Sequence, residues 1–191
     1  MYICLYGASS NEIAPVYIRQ TENLGRIMGE RGHAMIFGGG ASGLMGAAAR
    51  GMTAAGGEII GIAPSFFNVD GVLYPHCTQF IYTETMRERK FEMEERADAF
   101  IIAPGGIGTF EEFFEALTLK QLGRHNKPIA LFNIDGYYDD MIALIDKAIG
   151  ENFMKGVCRE LLHAFTQADA MLDYIETCDT THMLPEQTKF L

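Results

Sequence analysis

The sequence predicts an α/β protein: one doubly wound parallel sheet flanked by helices on both faces. Short apolar runs alternate along the 191 residues with longer segments of helical periodicity. The short runs are apolar at successive positions, which is typical of strands buried on both faces. Strands of this kind that alternate with helices indicate a parallel sheet.

The elements follow one another in a regular order. We predict strands at residues 2–6, 34–37, 59–63, 80–82, 99–103 and 129–132, with a further short strand at 164–166. Helical periodicity predicts helices at 16–31, 44–55, 86–97, 110–122, 138–151 and 168–177. The longest irregular segment, "PSFFNVDGVLYPHCT" (64–78), is too apolar for a disordered linker and is expected to pack near the site or an interface.

Length and composition fit a single domain, which we place at 1–180, followed by a polar tail at 181–191. No apolar run approaches the roughly 20 residues of a membrane span, and the start lacks a basic signal-peptide region. The four cysteines and five histidines are scattered without metal-site spacing. We therefore expect a cytoplasmic protein with reduced thiols, no metal and no membrane partner.

The net charge of −10 argues against a nucleic acid polymer as partner, because backbone binding depends on a basic surface. One short segment differs from this acidic composition: "MRERK" at 86–90 contains three basic residues. On its own, this cluster is read either as a solvated helix face or as an anion contact.

Three glycine-rich segments follow predicted strands, where parallel sheets bind ligands: "YGASS" (6–10), "FGGGASGLMG" (37–46) and "PGGIGTFEE" (104–112). The second satisfies G-x-G-x-x-G, but the next strand ends "GIAP" without the acid that a dinucleotide site needs. It therefore predicts a close turn that lets a small ligand approach the backbone. From the first two segments we take Ser9, Gly39 and Gly40 as candidate contacts.

The third segment predicts a cradle for one phosphate, because glycine amides and the start of a helix both favour an anion. Its candidate contacts are Gly105, Gly106, Ile107, Gly108 and Thr109. The alternative is a tight turn capped by Thr109. The Lys-Ser/Thr ending of a Walker A loop is absent.

Glu112 lies one helical turn past this loop, on a different face from Glu111, since each residue turns the helix by about 100°. If the ligand is a nucleoside 5′-monophosphate, the group next to its phosphate is a ribose. A carboxylate there can bind the ribose hydroxyls, stabilise a cationic transition state or polarise water.

These residues resemble the LOG (lonely guy) family of cytokinin riboside 5′-monophosphate phosphoribohydrolases, often mislabelled lysine decarboxylases. "PGGIGTFEE" is similar to its P-G-G-x-G-T-x-x-E signature, "MRERK" to its M-H-x-R-K and "GGGASGLMG" to its G-G-G-x-x-G-L-M-G. "TLKQLGRHNKP" and "LFNIDGYYDDMI" resemble the later family segments. The likeness runs in order from about residue 2 to residue 177.

The resemblance implies a Rossmann-like fold, a homodimer with its site near the interface, and hydrolysis of a nucleoside 5′-monophosphate without a cofactor. It implies that Arg89 and Glu112 are the catalytic pair. Lys90, the 105–109 loop and Thr118 fall on positions that contact substrate. This chain departs from the family at three positions: Arg87 replaces a histidine, Gln79 a substrate-contacting glutamate and Leu119 a tryptophan.

Three other functions stay open beside this one. The first is an AMP nucleosidase for salvage, which shares the chemistry but not the base. The second is a non-catalytic nucleotide or cofactor carrier, like the molybdenum-cofactor carriers that resemble this family. A lysine decarboxylase is the least favoured, because no lysine reads as a pyridoxal phosphate site.

Overall fold

The computed structural model describes residues 1–179 and 185–188 of the chain. Seven parallel strands form its sheet: β1 (Tyr2–Tyr6), β2 (Ala34–Phe37), β3 (Ile59–Pro64), β4 (Gln79–Thr83), β5 (Ala99–Ile102), β6 (Ile129–Phe132) and β7 (His163–Phe165). Their spatial order is β4-β3-β2-β1-β5-β6-β7. The predicted parallel sheet is confirmed, and each strand begins and ends within one residue of its prediction.

Helices cover both faces of the sheet. They are α1 (Pro15–Glu30), α2 (Gly43–Ala54), α3 (Met86–Arg96), α4 (Ile107–Gln121), α5 (Asp139–Gly150), α6 (Ala168–Thr177) and the short α7 (Pro185–Thr188). Apolar side chains of α1, α2 and α6 pack into one core. Those of α3, α4 and α5 pack into the other. Because each inner strand is buried between these layers, its sequence is apolar at successive positions.

The order of the strands places a switch point between β1 and β5. From β1 the chain adds β2, β3 and β4 on one side, and then crosses to β5 on the other side of β1. In open parallel sheets of this kind, ligands bind in the crevice outside the carboxyl ends of the strands at the switch point.

The start of α4 differs from the prediction. The helix begins at Ile107, three residues before the predicted start at 110, and its N-cap is Gly106 in an extended conformation. Glycine has a low helix propensity, so the pattern placed the start after the glycines. Thr109 therefore lies in the first helical turn, and the alternative in which it caps the helix is wrong.

The irregular segment 64–78 packs beside the second glycine segment, as predicted. Leu73 forms an antiparallel bridge with Gly40. The Ala41 amide donates to the Val72 carbonyl at 2.9 Å, and the Tyr74 amide donates to the Gly39 carbonyl at 2.8 Å. The segment therefore forms one wall of the carboxyl edge of the sheet.

Most of the predicted tail at 181–191 lies outside the described residues. Within it, α7 packs against the end of α4, where the buried Thr188 hydroxyl donates to the Gln121 carbonyl at 2.6 Å. None of the described helices combines the length and apolar composition that crossing a membrane requires.

Candidate active site

The three glycine segments meet at the carboxyl edge of the sheet, next to the switch point. The Ala8 amide, after β1, donates to the Pro104 carbonyl, after β5, at 3.0 Å. The Leu44 amide at the start of α2 donates to the Ala8 carbonyl at 2.8 Å. The predicted contacts Ser9, Gly39 and Gly40 lie in the first two of these segments, and the predicted phosphate cradle lies in the third.

The amino end of α4 forms the centre of the site. In the part of the chain that the structure describes, the amides of residues 106–109 donate to no backbone or side-chain acceptor. Gly106, Ile107 and Gly108 are exposed, and Thr109 is buried. Free amides at the positive end of a helix dipole bind an anion well.

The glycines of this loop are required for different reasons. A Cβ at Gly105 would lie 2.1 Å from Thr109 Oγ1, so close packing explains that glycine. A Cβ at Gly106 or Gly108 would have no atom within 4 Å. Packing within the described chain therefore does not explain the glycines at 106 and 108, whereas a ligand that approaches the backbone would.

Arg89 and Glu112 form a buried ion pair beside this loop. Arg89 Nη1 donates to Glu112 Oε1 at 3.0 Å, and the two side chains are 10% and 12% exposed. Arg89 Nε also donates to the Ile62 carbonyl at the end of β3, at 3.3 Å. These contacts hold the guanidinium at the end of β3 and against the carboxylate.

The sequence of α3 explains how Arg89 reaches this position. Thr85 caps the helix by accepting from the Glu88 amide at 3.2 Å, and Glu88 accepts from the Glu84 amide at 2.9 Å. These contacts resemble a capping box and fix the first turn of α3. Gly38, after β2, then leaves room for the guanidinium, since a Cβ there would lie 2.0 Å from Arg89 Nη2.

Burial raises the pKa of Glu112, while the charge and the hydrogen bond of Arg89 oppose that rise. The net direction is upward, so desolvation outweighs the ion pair. Among the described residues, only Oε1 of Glu112 accepts a hydrogen bond, from Arg89. The other carboxylate oxygen is left for a ligand or a water molecule.

Lys90, the next residue of α3, has different partners from Arg89 and forms ion pairs with Glu111 and with Glu115 on α4. Glu111 and Glu112 thus have different partners, Lys90 and Arg89, as expected for neighbours on different faces of the helix. Lys90 is close to the site on α3, but its ammonium is engaged by two carboxylates. Contact between Lys90 and substrate stays a prediction.

Two of the predicted contacts lie apart from this cluster. Thr118 is exposed, nine residues beyond Thr109, which is about 14 Å along the helix axis. Gln79 is the first residue of β4, at the amino end of the strand, and pairs with Ile60. Neither residue is brought to the carboxyl edge within one chain, and their contacts with substrate stay predictions.

Sequence reasoning missed several residues that support the site. His125 Nε2 contacts the Ala116 carbonyl at 2.9 Å, and Lys127 Nζ donates to the Glu94 carbonyl at 2.5 Å. The segment "QLGRHNKP" therefore binds the final turns of α4 and α3, the two helices that carry Glu112 and Arg89. Gly38 was also missed, although the triple glycine after β2 was the available signal.

The described residues contain no group of three or more His, Cys, Asp or Glu side chains able to hold a metal ion. The candidate site thus consists of free amides, one buried carboxylate and one guanidinium.

Comparisons of the whole chain with known proteins identify named relatives. A family model described as "Possible lysine decarboxylase" matches residues 45–175. The chain is 36% identical over 174 residues to "Cytokinin riboside 5′-monophosphate phosphoribohydrolase LOG2" of Arabidopsis thaliana, covering 91% of this chain and 82% of the relative. It is also 36% identical over 180 residues to "Probable cytokinin riboside 5′-monophosphate phosphoribohydrolase LOGL1" of Oryza sativa subsp. japonica, covering 94% and 81%.

Solved structures share the fold at lower identity. The molybdenum cofactor carrier protein of Chlamydomonas reinhardtii superposes with a TM-score of 0.69 at 19% identity, covering 92% of this chain and 95% of that chain. The molybdenum cofactor binding protein of Rippkaea orientalis superposes with a TM-score of 0.67 at 20% identity, covering 92% and 93%. At these identities the likeness shows the fold alone.

Proposed function

Because this chain belongs to the LOG family of phosphoribohydrolases, we propose that it hydrolyses the N-glycosidic bond of an adenosine 5′-monophosphate-type nucleotide, with or without an N6 substituent. The products are the free base and ribose 5-phosphate. The observation that carries the proposal is the buried Arg89–Glu112 pair next to the free amides of α4. The curated relatives are named for this reaction on cytokinin riboside 5′-monophosphate.

Binding begins with the phosphate at the amides of residues 106–109. The Glu112 Cα lies six residues beyond Gly106, about 9 Å along the helix axis. That separation matches a carboxylate that reaches the ribose while the phosphate stays on the amides. Binding energy from the phosphate, which does not react, can then stabilise the strained sugar.

Bond cleavage places positive charge on the ribose ring. As the C1′–N9 bond breaks, its electron pair leaves with the base, which takes up a proton. The Glu112 carboxylate stabilises the cationic sugar and orients a water molecule whose oxygen bonds to C1′. The proton that this water loses balances the proton that the base takes up. Arg89 acts on Glu112 itself, because its guanidinium binds that carboxylate and keeps the carboxylate in place.

The base preference is the finer part of the proposal. The names of the relatives favour an N6-modified adenine base. This chain departs from the family at Gln79, Arg87 and Leu119, so its base preference can differ from that of the relatives. Unmodified AMP is therefore tested beside the N6-modified nucleotide. A comparison of kcat/KM for AMP and for its N6-isopentenyl derivative distinguishes a cytokinin-releasing enzyme from an AMP nucleosidase for salvage.

The environments of Lys90 and Lys120 do not support a decarboxylase, despite the description of the family model. Burial lowers the pKa of Lys90, but its ion pairs with Glu111 and Glu115 outweigh this effect and raise it. A lysine that forms an imine must be neutral. Burial lowers the pKa of Lys120, but Lys120 lies eight residues beyond Glu112, about 12 Å along α4.

A homodimer is also part of the proposal. Phe91 on α3 is 59% exposed, and Ile107 and Phe114 on α4 are 86% and 43% exposed. Large apolar side chains exposed on the two helices of the site favour a second copy that covers them. Light scattering after gel filtration should give a dimer for the natural chain and a monomer for Phe91→Asp.

We also propose that the protein works in the cytoplasm. The four cysteines, Cys4, Cys77, Cys158 and Cys178, are free thiols, which supports a reducing compartment.

The decisive assay incubates the purified protein with a panel of nucleoside 5′-monophosphates and follows free base by chromatography. Ribose 5-phosphate must appear in equal amount. Tight retention of a nucleotide without release of base would instead support a carrier.

A further inference from the structure

We propose that Tyr137 is a positioning residue for phosphate binding: its hydroxyl fixes the peptide plane that directs the Gly106 amide toward the ligand. The inference rests on the proposed function, because it concerns how the same amides are held. Tyr137 follows the 3₁₀ turn Ile134–Gly136 after β6. Its Oη donates a hydrogen bond to the Gly105 carbonyl at 2.5 Å.

The direction of the Gly106 amide follows from the geometry of the peptide bond. The peptide is planar and trans, so the C=O of Gly105 and the N–H of Gly106 point in opposite directions. A hydroxyl that holds this carbonyl therefore directs the Gly106 N–H away from Tyr137. Because both flanking residues are glycine, this peptide plane would otherwise rotate at low cost.

Three successive carbonyls before α4 are held in this way. The Ala103 carbonyl accepts from Tyr138 Oη at 2.7 Å. The Pro104 carbonyl accepts from the Ala8 amide at 3.0 Å. With the bond from Tyr137 to Gly105, each peptide plane between β5 and the N-cap of α4 has a fixed orientation.

Tyr138 provides a matched comparison. Its side chain is 1% exposed, and it holds a carbonyl of the same loop. The peptide plane that it fixes joins Ala103 to Pro104, and proline has no N–H. Tyr138 therefore stabilises the end of β5 without directing any amide at the site, whereas Tyr137 directs one.

The ring of Tyr137 is held independently of its hydroxyl. It packs edge-on against Tyr17 of α1, with centroids 6.0 Å apart, and against Tyr138 at 5.0 Å. The turn before it is fixed by Asn133, whose Oδ1 accepts from the Tyr138 amide at 2.7 Å and whose Nδ2 donates to Asp139 Oδ1 at 2.8 Å. Tyr137→Phe should therefore remove one hydrogen bond and leave the ring in place.

The test follows the Gly106 amide by ¹⁵N NMR while ribose 5-phosphate, and separately inorganic phosphate, is added. In the natural protein the Gly106 resonance should shift as either ligand binds. Tyr137→Phe should weaken both Kd values about three- to ten-fold, the effect of one hydrogen bond, with little change in Tm. Tyr138→Phe should keep the natural Kd and lower Tm.

Kinetics on AMP give a second measurement, in which Tyr137→Phe should raise KM and leave kcat near its natural value. If Gly106 in the natural protein responds to neither phosphate ligand, the amide cradle and the role of Tyr137 both fail. If it responds and Tyr137→Phe binds equally well, only the role of Tyr137 fails. Equal losses of affinity and Tm in both variants would make Tyr137 a structural residue and overturn the inference.

Discussion

Arg89 Nη1 and Glu112 Oε1 lie 3.0 Å apart, with both side chains about nine-tenths buried. The residues come from different helices, α3 and α4, and meet beside the free amides of residues 106–109. Burying such a pair costs solvation energy that the ion pair does not always recover. We interpret its burial here as a requirement of catalysis, which the following variants test.

Glu112→Gln should abolish most of the activity while the fold survives. The amide oxygen can still accept from Arg89, but the group no longer carries the charge that stabilises the cationic sugar. We expect base release to fall by at least about 10²-fold. Glu111→Gln, the neighbouring exposed carboxylate, should stay within a few-fold of the natural rate. Near-normal hydrolysis by Glu112→Gln would remove the catalytic role.

Gly38→Ala should impair catalysis through Arg89, because the new Cβ would lie 2.0 Å from Arg89 Nη2 and displace the guanidinium. A displacement of this size at a catalytic group predicts a loss of roughly 10- to 100-fold in kcat/KM. A double-mutant cycle supplies the control. In an Arg89→Ala background the same substitution should have little further effect, and additive losses would contradict the mechanism.

Gly108→Ala tests whether the glycine at position 108 is required for stability or for phosphate binding. A Cβ at Gly108 meets no atom within 4 Å, and alanine favours a helix, so Tm should not fall. The methyl group would occupy space that the phosphate needs, so KM should rise about ten-fold. Gly150→Ala, also helical with open space around it, should change neither KM nor Tm appreciably. An unchanged KM in Gly108→Ala would place the phosphate elsewhere.

Glu94 should make stability depend on pH. Burial, followed by the charge of Glu115, raises the pKa of Glu94 to about 7, while Lys90 and Lys127 oppose the rise. Because the folded value is raised, the stabilisation is complete below the unfolded pKa and is lost as pH rises through about 7. Glu94→Gln should therefore raise Tm relative to the natural protein at about pH 8 by roughly 2–4 °C, since the side chain is only half-buried.

The exposed neighbour provides the control for that measurement. Glu95→Gln should follow the natural protein at both about pH 6 and about pH 8. A constant Tm difference between Glu94→Gln and the natural protein across this range would show that Glu94 does not titrate there.

Hydrophobic patterning predicted the sheet because five of the seven strands are buried between helix layers and are apolar at successive positions. It placed the start of α4 too late, because the N-cap and first turn include glycines that periodicity cannot assign to a helix. That error concealed how many amides are free: the helix begins at Ile107, and four amides, those of residues 106–109, have no acceptor among the described residues.

Motif resemblance singled out Arg89 and Glu112 as a predicted pair, and the structure adds the hydrogen bond between their side chains. The "QLGRHNKP" segment contacts the final turns of α3 and α4, and the absence of a side chain at Gly38 leaves room for the Arg89 guanidinium. These tertiary contacts position the pair, and a sequence motif does not report them. The role proposed for Tyr137 was likewise outside sequence reasoning. A tyrosine hydroxyl that contacts a backbone carbonyl 32 residues away leaves no periodic signal.

A crystal structure of the Glu112→Gln variant with AMP would show the bound nucleotide at the site, because a slow variant retains its substrate. We expect the phosphate to accept hydrogen bonds from amides of residues 106–109 and the side chain at position 112 to face the ribose hydroxyls. A phosphate bound elsewhere, or a side chain at 112 turned away from the ribose, would contradict the proposed mechanism.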